Sequence, residues 1–243
     1  GFFFQLRVAD EHKDNEDDTK YRPERPVPRG LVTLKELRGV AMAVAVAQVG
    51  LTVLLDWTLF ALLLAVWGWL AIMTKEFFVP EWLKKRPLVY MVSHMAIMPL
   101  IDLYATACDW WPAGYALHEG FGLTLGAFLL LSLVNGTAIE IARKCWAPEQ
   151  EREGVETYSR LWKPGPAGVA GMGGVLVGLT LSAFINVRSE AGIWFLGALL
   201  LIGAWAAWCA IDYAGTPTPR TAKAIETASG VFVLCNYLLL GVL

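Results

Sequence analysis

Residues 37–55, LRGVAMAVAVAQVGLTVLL, and residues 57–73, WTLFALLLAVWGWLAIM, are two long apolar runs that decide the fold of this chain. Each run is close to the roughly 20 residues that an α-helix needs to cross the hydrocarbon core of a bilayer. Only Asp56 separates them, which leaves room for no more than a tight turn. The two runs therefore predict a pair of antiparallel transmembrane helices.

Further apolar runs follow along the rest of the chain. They cover residues 88–110, 121–143, 167–187, 192–214 and 225–243. With 56% hydrophobic and only 17% charged residues, the chain is too apolar for an ordinary soluble domain. Because helices satisfy their own backbone polar groups in lipid, the sequence predicts an all-α polytopic transmembrane helical bundle. We expect a single transmembrane domain over residues 1–243, with about seven complete spans.

The start of the chain is short for a span. It opens Gly-Phe-Phe-Phe, and only about eight residues precede the first acidic group, although a span needs roughly 20. We expect residue 1 to fall inside a helix. An intact gene product is then expected to carry about 20–45 further residues, including one complete apolar helix.

Basic residues are divided unequally between the loops. Alternating the spans places residues 7–38, 75–87, 143–166 and 215–224 on one side of the membrane, and these segments hold 19 of the 20 Lys and Arg residues. Only Arg188 lies opposite. By the positive-inside rule the first side is cytoplasmic, and we expect an integral protein of a bacterial inner membrane.

Residues 9–30, ADEHKDNEDDTKYRPERPVPRG, combine seven acids with an Arg/Pro-rich turn. If residues 10–20 form one helix, Glu11, Asp14 and Asp18 line one face. Carboxylates suit hard cations such as Mg²⁺, which keeps several waters and is usually shared between one or two carboxylates and phosphate oxygens. A solvated acidic face without a ligand has the same pattern, so these residues alone leave both interpretations open.

Two other charged loops lie on the same side. The first ends in Leu-Lys-Lys-Arg-Pro at residues 83–87, a cluster that is also typical of a topology signal or of contact with anionic lipid. The second contains the alternating acids Glu149, Glu151 and Glu153. On a helix Glu149 and Glu153 would lie together and Glu151 would point away, unless the loop is irregular.

Several polar residues lie within the predicted spans, where they are costly and therefore functional candidates. His94 and Asp102 are candidates to face a cavity, although His94 is close to the end of its span. Asn135 and Asn186 are equally suited to bind neighbouring helices or substrate. The four cysteines show no metal-binding or Cys-x-x-Cys spacing, which indicates neither a disulfide framework nor a zinc site.

The acidic stretch and the turn after it resemble the first motif of the UbiA superfamily of intramembrane prenyltransferases. The family pattern is Asn-Asp-x-x-Asp-x-x-x-Asp, a short spacer, and Arg-Pro-(Leu/Ile/Val)-Pro-x-Gly. The matching positions are Asp14, Asp18, Arg25, Pro26, Pro28 and Gly30, while Asp10 stands for the family Asn and Glu11 for the first Asp. The resemblance implies nine helices with cytoplasmic acidic loops. The chain then lacks the first helix, and its second is truncated.

The other two loops are similar to the family pattern only in part. Residues 83–87 resemble a family run that helps to hold the diphosphate, but Glu-Phe-Phe at residues 76–78 occupies the region where the family often has a Tyr. In the second acidic loop Gly154 and the Leu-Trp pair at residues 161–162 keep the family spacing. The family Asp-x-x-x-Asp is absent there, and shifted glutamates replace it.

The resemblance implies a Mg²⁺-dependent enzyme that moves a prenyl group from a prenyl diphosphate to a lipophilic or aromatic acceptor. The catalytic residues that it implies are Asp14, Asp18 and Arg25. The implied substrate-binding residues are Arg22, Arg25, Lys84, Lys85, Arg86, Arg143 and Lys144. The implied metal ligands are Glu11, Asp14, Asp18, Glu149, Glu151 and Glu153. The two substrates and membrane lipid are the expected partners, and nucleic acid is not.

Two alternatives stay open. A UbiA-like membrane protein without transferase activity, acting as a scaffold or transporter, would explain the altered second motif. A CDP-alcohol phosphotransferase-like enzyme also uses clustered acids and metal, but that family requires Asp-Gly-x-x-Ala-Arg, and this chain contains no Asp-Gly.

Overall fold

The computed structural model describes residues 1–114, 122–188 and 193–240, with only the backbone at residue 193. Within these ranges the regular structure is helical, with no β-strand. The α-helices are α1 (Phe2–Lys13), α2 (Asn15–Tyr21), α3 (Leu34–Leu55), α4 (Phe60–Thr74), α5 (Pro80–Lys84), α6 (Pro87–Met95), α7 (Ile97–Trp110), α8 (Leu123–Arg143), α9 (Tyr158–Trp162), α10 (Pro164–Arg188), α11 (Ile193–Gly215) and α12 (Pro219–Leu240).

Seven helical segments of the described chain are long and apolar enough to cross a membrane. They are Leu34–Leu55, Trp57–Thr74, Pro87–Trp110, Leu123–Arg143, Pro164–Arg188, Trp194–Gly215 and Pro219–Leu240. Each corresponds to one predicted run, so the prediction of an all-α polytopic helical bundle is confirmed. The predicted span limits at residues 121, 192 and 243 lie outside the described residues.

Two boundaries differ from the sequence prediction for local reasons. The span at Pro87–Trp110 is divided between α6 and α7, because Pro99 lacks an amide hydrogen and its ring crowds the carbonyl of Met95, where α6 ends. The last helix begins at Pro219, six residues before the predicted apolar run. Proline suits a first helical turn, and the backbone amide of Thr221 donates to Thr218 Oγ1 at 3.3 Å.

Contacts divide the chain into two compact units, residues 1–120 and 121–243. In the first unit, α1, α4 and α7 share a buried apolar core, and α3 contacts α1 and α4. The core residues are Phe2, Leu63, Val66, Met73, Ile97 and Ile101. This core holds the amino-terminal part of α1, so the acidic end of α1 is presented at the end of the bundle.

In the second unit, α10 packs against α8 and α11, and α12 packs against α11 and α8. The buried core joins α10, α11 and α12 through Val175, Ala206, Cys209, Ala228, Phe232 and Val233. Close approach of α10 and α11 depends on a glycine: a Cβ atom at Gly168 would lie 2.8 Å from the carbonyl oxygen of Ala210. Small residues therefore set the distance between these spans.

Candidate functional site

A shared face for Glu11, Asp14 and Asp18 requires one helix over residues 10–20, and the structure has two. Helix α1 ends at Lys13, Asp14 adopts φ −95° and ψ 5°, and α2 starts at Asn15. Asp and Asn side chains compete for backbone hydrogen bonds and favour helix ends. The backbone still keeps an i to i+4 pattern, since the Asp14 amide donates to Asp10 and the Asp18 amide to Asp14, both at 2.8 Å.

Arg25 connects the acids of this stretch. Its Nη1 donates to Asp18 Oδ2, and its Nη2 lies 4.0 Å from Glu11 Oε1. Arg7 also donates to Glu11, and Arg22 Nη1 lies 3.5 Å from Asp18 Oδ1. The sequence-predicted residues Glu11, Asp18, Arg22 and Arg25 are therefore brought together around two buried carboxylates.

The turn that follows α2 positions Arg25. The amide of Arg25 donates to the Arg22 carbonyl at 3.1 Å, and the amide of Leu31 donates to the Pro26 carbonyl at 3.0 Å. Gly30 closes the turn with φ +78°, a conformation that glycine adopts without a Cβ clash. This explains why the Arg-Pro-x-Pro-x-Gly pattern ends in glycine here.

The carboxylates of this site are partly withdrawn from water. Glu11 and Asp18 are only 5% and 3% exposed, and Glu11 Oε2 is buried with no hydrogen-bond partner among the residues that the structure describes. Burial raises the pKa of Asp14 above its ordinary value, and the charge of Lys13 only partly offsets this rise. An unpaired buried carboxylate oxygen is a suitable ligand atom for a divalent cation.

Among the described residues, no three His, Cys, Asp or Glu side chains are close enough to hold a metal ion by themselves. Proteins bind Mg²⁺ at phosphate sites through one or two carboxylates, water and the phosphate oxygens, so a cluster of three carboxylates is not required. The residues around Glu11 and Asp14 fit such a shared ion. Their assignment as metal ligands stays a prediction.

A second cluster next to this site was not predicted from the sequence. Lys13 Nζ lies 2.6 Å from Glu76 Oε1 and donates to the hydroxyl of Tyr90 at 3.1 Å. Tyr90 stacks on His94, with ring centroids 4.0 Å apart. No local pattern relates Lys13 to Tyr90, which is 77 positions later. A phenol therefore lies beside the first motif although residues 76–78 contain no Tyr.

His94 has partners on its own helix. Its Nδ1 lies 2.8 Å from the carbonyl oxygen of Tyr90, so Nδ1 carries the hydrogen, and its ring meets Phe77 edge-on at 5.8 Å. These contacts give His94 a local packing role beside the Lys13 cluster. Asp102, the other polar candidate in this span, is half-buried in α7.

The three basic side chains at residues 84–86 have different surroundings. Lys84 is near enough to Glu76 for its charge to contribute to lowering the pKa of that carboxyl. Arg86 instead lies over the ring of Trp82, with its guanidinium carbon 4.3 Å from the centroid. Lys85 is exposed. Of the three predicted substrate-binding residues, Lys84 has the most direct relation to the first site.

The second acidic loop is irregular. Residues 148–150 form one short 3₁₀ turn, and Glu151 is extended. Both oxygens of Glu151 accept hydrogen bonds from Thr157 Oγ1, at 2.7 and 2.8 Å, and Ser159 Oγ donates to Oε1 at 2.7 Å. Glu151 therefore ties the two ends of its loop together, while Glu149 and Glu153 are exposed.

The remaining predicted substrate-binding residues pair with an acid that the sequence prediction missed. Arg143 donates to Glu140, and Lys144 Nζ lies 3.0 Å from the other Glu140 oxygen. Glu140 lies three residues before Arg143 and four residues before Lys144, a spacing that brings side chains together on one face of a helix.

A cavity of about 400 Å³ opens beside the second loop, within the second unit. Its charged and polar lining consists of Arg143, Glu149, Gln150, Glu151, Arg152, Lys223 and Glu226. Lys223 and Glu226 form an exposed ion pair at 2.8 Å. Acids and bases are balanced here, in contrast to the arginine-rich first site.

Polar groups inside the second unit bind each other. Ser182 Oγ donates to Asn236 Oδ1 at 2.6 Å, and Asn236 Nδ2 donates to Asn135 Oδ1 at 3.4 Å. All three residues are buried. Asn135 therefore joins helices, which is one of the two roles that its position predicts.

The four cysteines are free thiols, as their spacing predicts. Burial raises the pKa of Cys145, which lies beside the cavity, to about 12. A thiol with this pKa stays protonated at neutral pH and is a poor nucleophile.

Seven candidate spans, preceded by a segment in which arginines surround two buried carboxylates, define a polytopic α-helical membrane protein. The profile of the UbiA prenyltransferase family matches residues 7–233, and the chain belongs to that family. Comparisons with curated proteins and with solved structures found no match.

Proposed function

We propose that this protein is a Mg²⁺-dependent intramembrane prenyltransferase that moves a prenyl group from a prenyl diphosphate to a lipophilic or aromatic acceptor. The observation that carries the proposal is the arrangement around Arg25, where a guanidinium joins Glu11 to Asp18 and one Glu11 oxygen has no hydrogen-bond partner within the described part of the chain. Such a site combines ligand atoms for a cation with donors for an anion. Membership of the family supports it.

The reaction starts with breakage of the allylic carbon–oxygen bond, and the diphosphate leaves with the electron pair. Bound Mg²⁺ supplies positive charge that stabilises this leaving group. Arg22 and Arg25 donate hydrogen bonds to its oxygens, and Lys13 and Lys84 add charge from the neighbouring cluster. The acceptor then attacks the allylic cation through a carbon or heteroatom and loses a proton.

The chain's own residues hold the diphosphate head at a helix end, next to the apolar spans. Glu11 and Asp14 are the carboxylates that we assign to the ion at the first motif, and Asp18 holds Arg22 and Arg25 in place. Glu149 and Glu153, which are exposed, are the ligands that we assign to the second. The distribution of basic residues supports a cytoplasmic position for both loops.

Purified full-length protein, incubated with Mg²⁺ and a panel of prenyl diphosphates and acceptors, tests the proposal through pyrophosphate release. We expect release with at least one pair, and none after Mg²⁺ is chelated. The Asp14→Asn variant, which removes one carboxylate charge from the site, is compared with the wild type in the same assay. No release across the panel would overturn the proposal.

A second candidate is a family member without transferase activity. The observation that favours it is Glu151, whose two oxygens are both bound by hydroxyls of its own loop. Prenyl diphosphate binding without turnover, measured on the same preparation, would distinguish this candidate from the enzyme.

A further inference from the structure

The chain makes an uncommon turn directly after α4. Glu76, Phe77 and Phe78 all have positive φ, at 49°, 54° and 59°. Residues with a Cβ disfavour this left-handed region, and it is normally visited by single residues. Within this turn Glu76 is buried, in its ion pair with Lys13, whereas Phe78 is 76% exposed.

The short helix α5 continues this exposed apolar surface. Leu83 is buried, whereas Trp82 is 48% exposed and Val79, just before the helix, is 44% exposed. We call Phe78, Val79 and Trp82 the apolar patch. Moving a large apolar side chain out of water lowers the free energy, so this patch is suited to an apolar neighbour.

A positive charge is fixed on the patch itself. The Arg86 guanidinium lies 4.3 Å from the centre of the Trp82 ring, and Nη1 donates to the Trp82 carbonyl oxygen at 3.2 Å. Arginine has five N–H donors in a planar fork that matches phosphate oxygens. Lys85 is exposed beside it.

The segment lies where water meets lipid. It joins the span that ends at Thr74 to the span that begins at Pro87, so it cannot move far from the membrane surface. It contains four basic and two acidic residues, and one of those acids, Glu76, is engaged by Lys13. The remaining charge attracts anionic lipid, and aromatic side chains favour this depth.

We propose that Phe78, Val79 and Trp82 insert into the interfacial layer of the bilayer and that Arg86, held on Trp82, binds the phosphate of an anionic phospholipid headgroup with Lys85. The lipid anchors the segment whose other end carries the Glu76–Lys13 ion pair. This site is separate from the carboxylates of the first motif, and the proposal does not require transferase activity.

Spin labels test the insertion. Phe78→Cys and Val79→Cys, with the four native cysteines replaced by alanine, are labelled in lipid nanodiscs, and Lys20→Cys in an exposed helix is the control. Oxygen concentrates in lipid, and a nickel chelate stays in water. We expect oxygen to relax the spin labels at residues 78 and 79 more strongly than the nickel chelate does, and the nickel chelate to relax the label at residue 20 more strongly than oxygen does. A nickel-dominated response at 78 and 79 would overturn the proposal.

Native mass spectrometry tests the headgroup. Three proteins are each released from an equal mixture of phosphatidylcholine and phosphatidylglycerol. They are the wild type, Lys85→Gln/Arg86→Gln, and the charge-matched control Lys20→Gln/Arg29→Gln. We expect the preference for retained phosphatidylglycerol to fall about fivefold per charge removed in the first variant, but not in the control. An equal preference in all three proteins would show that Arg86 and Lys85 bind no anionic lipid.

Discussion

Lys13 Nζ lies 2.6 Å from Glu76 Oε1, an ion pair that joins the last residue of α1 to the left-handed turn after α4. Burial alone would raise the pKa of Glu76, but the hydrogen bond and charge of Lys13 outweigh it, so the pKa is lowered. Burial alone would lower the pKa of Lys13, but its hydrogen bonds to Glu76 and Tyr90 outweigh burial, so the pKa is raised. Both residues are therefore charged over the neutral range.

We expect Glu76→Gln to destabilise the protein by about 1–3 kcal/mol, because it leaves the partly buried Lys13 ammonium with Tyr90 as its remaining partner. Unfolding in mixed micelles measures this. The exposed Glu81→Gln is the matched control and should stay within about 0.5 kcal/mol of wild type. A lowered pKa gives stability that is present above the ordinary value for glutamate and is lost as pH falls through the folded value. The difference between wild type and Glu76→Gln should therefore narrow in acid.

Asp14→Asn should separate binding from stability. We expect Mg²⁺-dependent diphosphate affinity to fall by about 100-fold, measured by titration of a non-hydrolysable prenyl diphosphate. Since burial raises the pKa of Asp14, the folded state binds its proton more tightly than the unfolded state, and ionisation costs stability at neutral pH. Thermal unfolding at pH 7 should therefore show equal or higher stability in the variant. Equal affinity with and without Mg²⁺ in both proteins would mean that this stretch is only a solvated acidic face.

The second loop predicts an asymmetry among its glutamates. Glu151→Gln should have a mild effect on diphosphate binding, since a glutamine carbonyl still accepts a bond from Thr157 or Ser159. Glu151→Ala should instead destabilise the protein by about 1–3 kcal/mol, because Thr157 Oγ1 loses the carboxylate that it donates to and Ser159 Oγ keeps only longer contacts, such as the Lys144 carbonyl oxygen at 3.3 Å.

The double variant Glu149→Gln/Glu153→Gln should reduce Mg²⁺-dependent diphosphate binding severely while leaving thermal stability unchanged, since both residues are exposed. The same titration, with thermal unfolding beside it, measures this. A larger binding loss in Glu151→Gln than in the double variant would contradict the assignment of Glu151 to loop structure.

Two glycines of α10 provide a matched pair. Gly168→Ala should destabilise the protein by about 1–3 kcal/mol, since its Cβ would meet the Ala210 carbonyl oxygen and Ala214 Cβ at 2.8 Å. At Gly173 no described atom outside the backbone of its own helix lies within 4 Å of an added Cβ, so Gly173→Ala should be neutral or stabilising through the helix propensity of alanine. Unfolding in mixed micelles compares them, and equal effects would exclude close packing at Gly168.

Topology is testable with accessible cysteines near residues 30, 80 and 155. All three should react from the cytoplasmic side, because the loops that contain them hold most of the Lys and Arg residues. A periplasmic signal from any one of them would break the alternation of spans.

Sequence patterns predicted the spans because transfer to lipid depends on the composition of each helix alone. They left open whether residues 10–20 form one helix: the spacing of the acids suits one helix, yet α1 ends at Lys13. Contacts between distant residues, such as Lys13 with Glu76 and Tyr90, leave no mark in local spacing. Glu140, by contrast, lies at i−3 and i−4 from Arg143 and Lys144, so that pairing was predictable from helical spacing.

The chain of polar contacts through Ser182, Asn236 and Asn135 also bears on biogenesis. Asn135 is synthesised long before Asn236, and a helix that exposes an amide to lipid is held there at a cost. The amide of Asn135 acquires this partner only after α12, which contains Asn236, has entered the membrane, so α8 and α12 reach their final rotational alignment only once α12 has been synthesised.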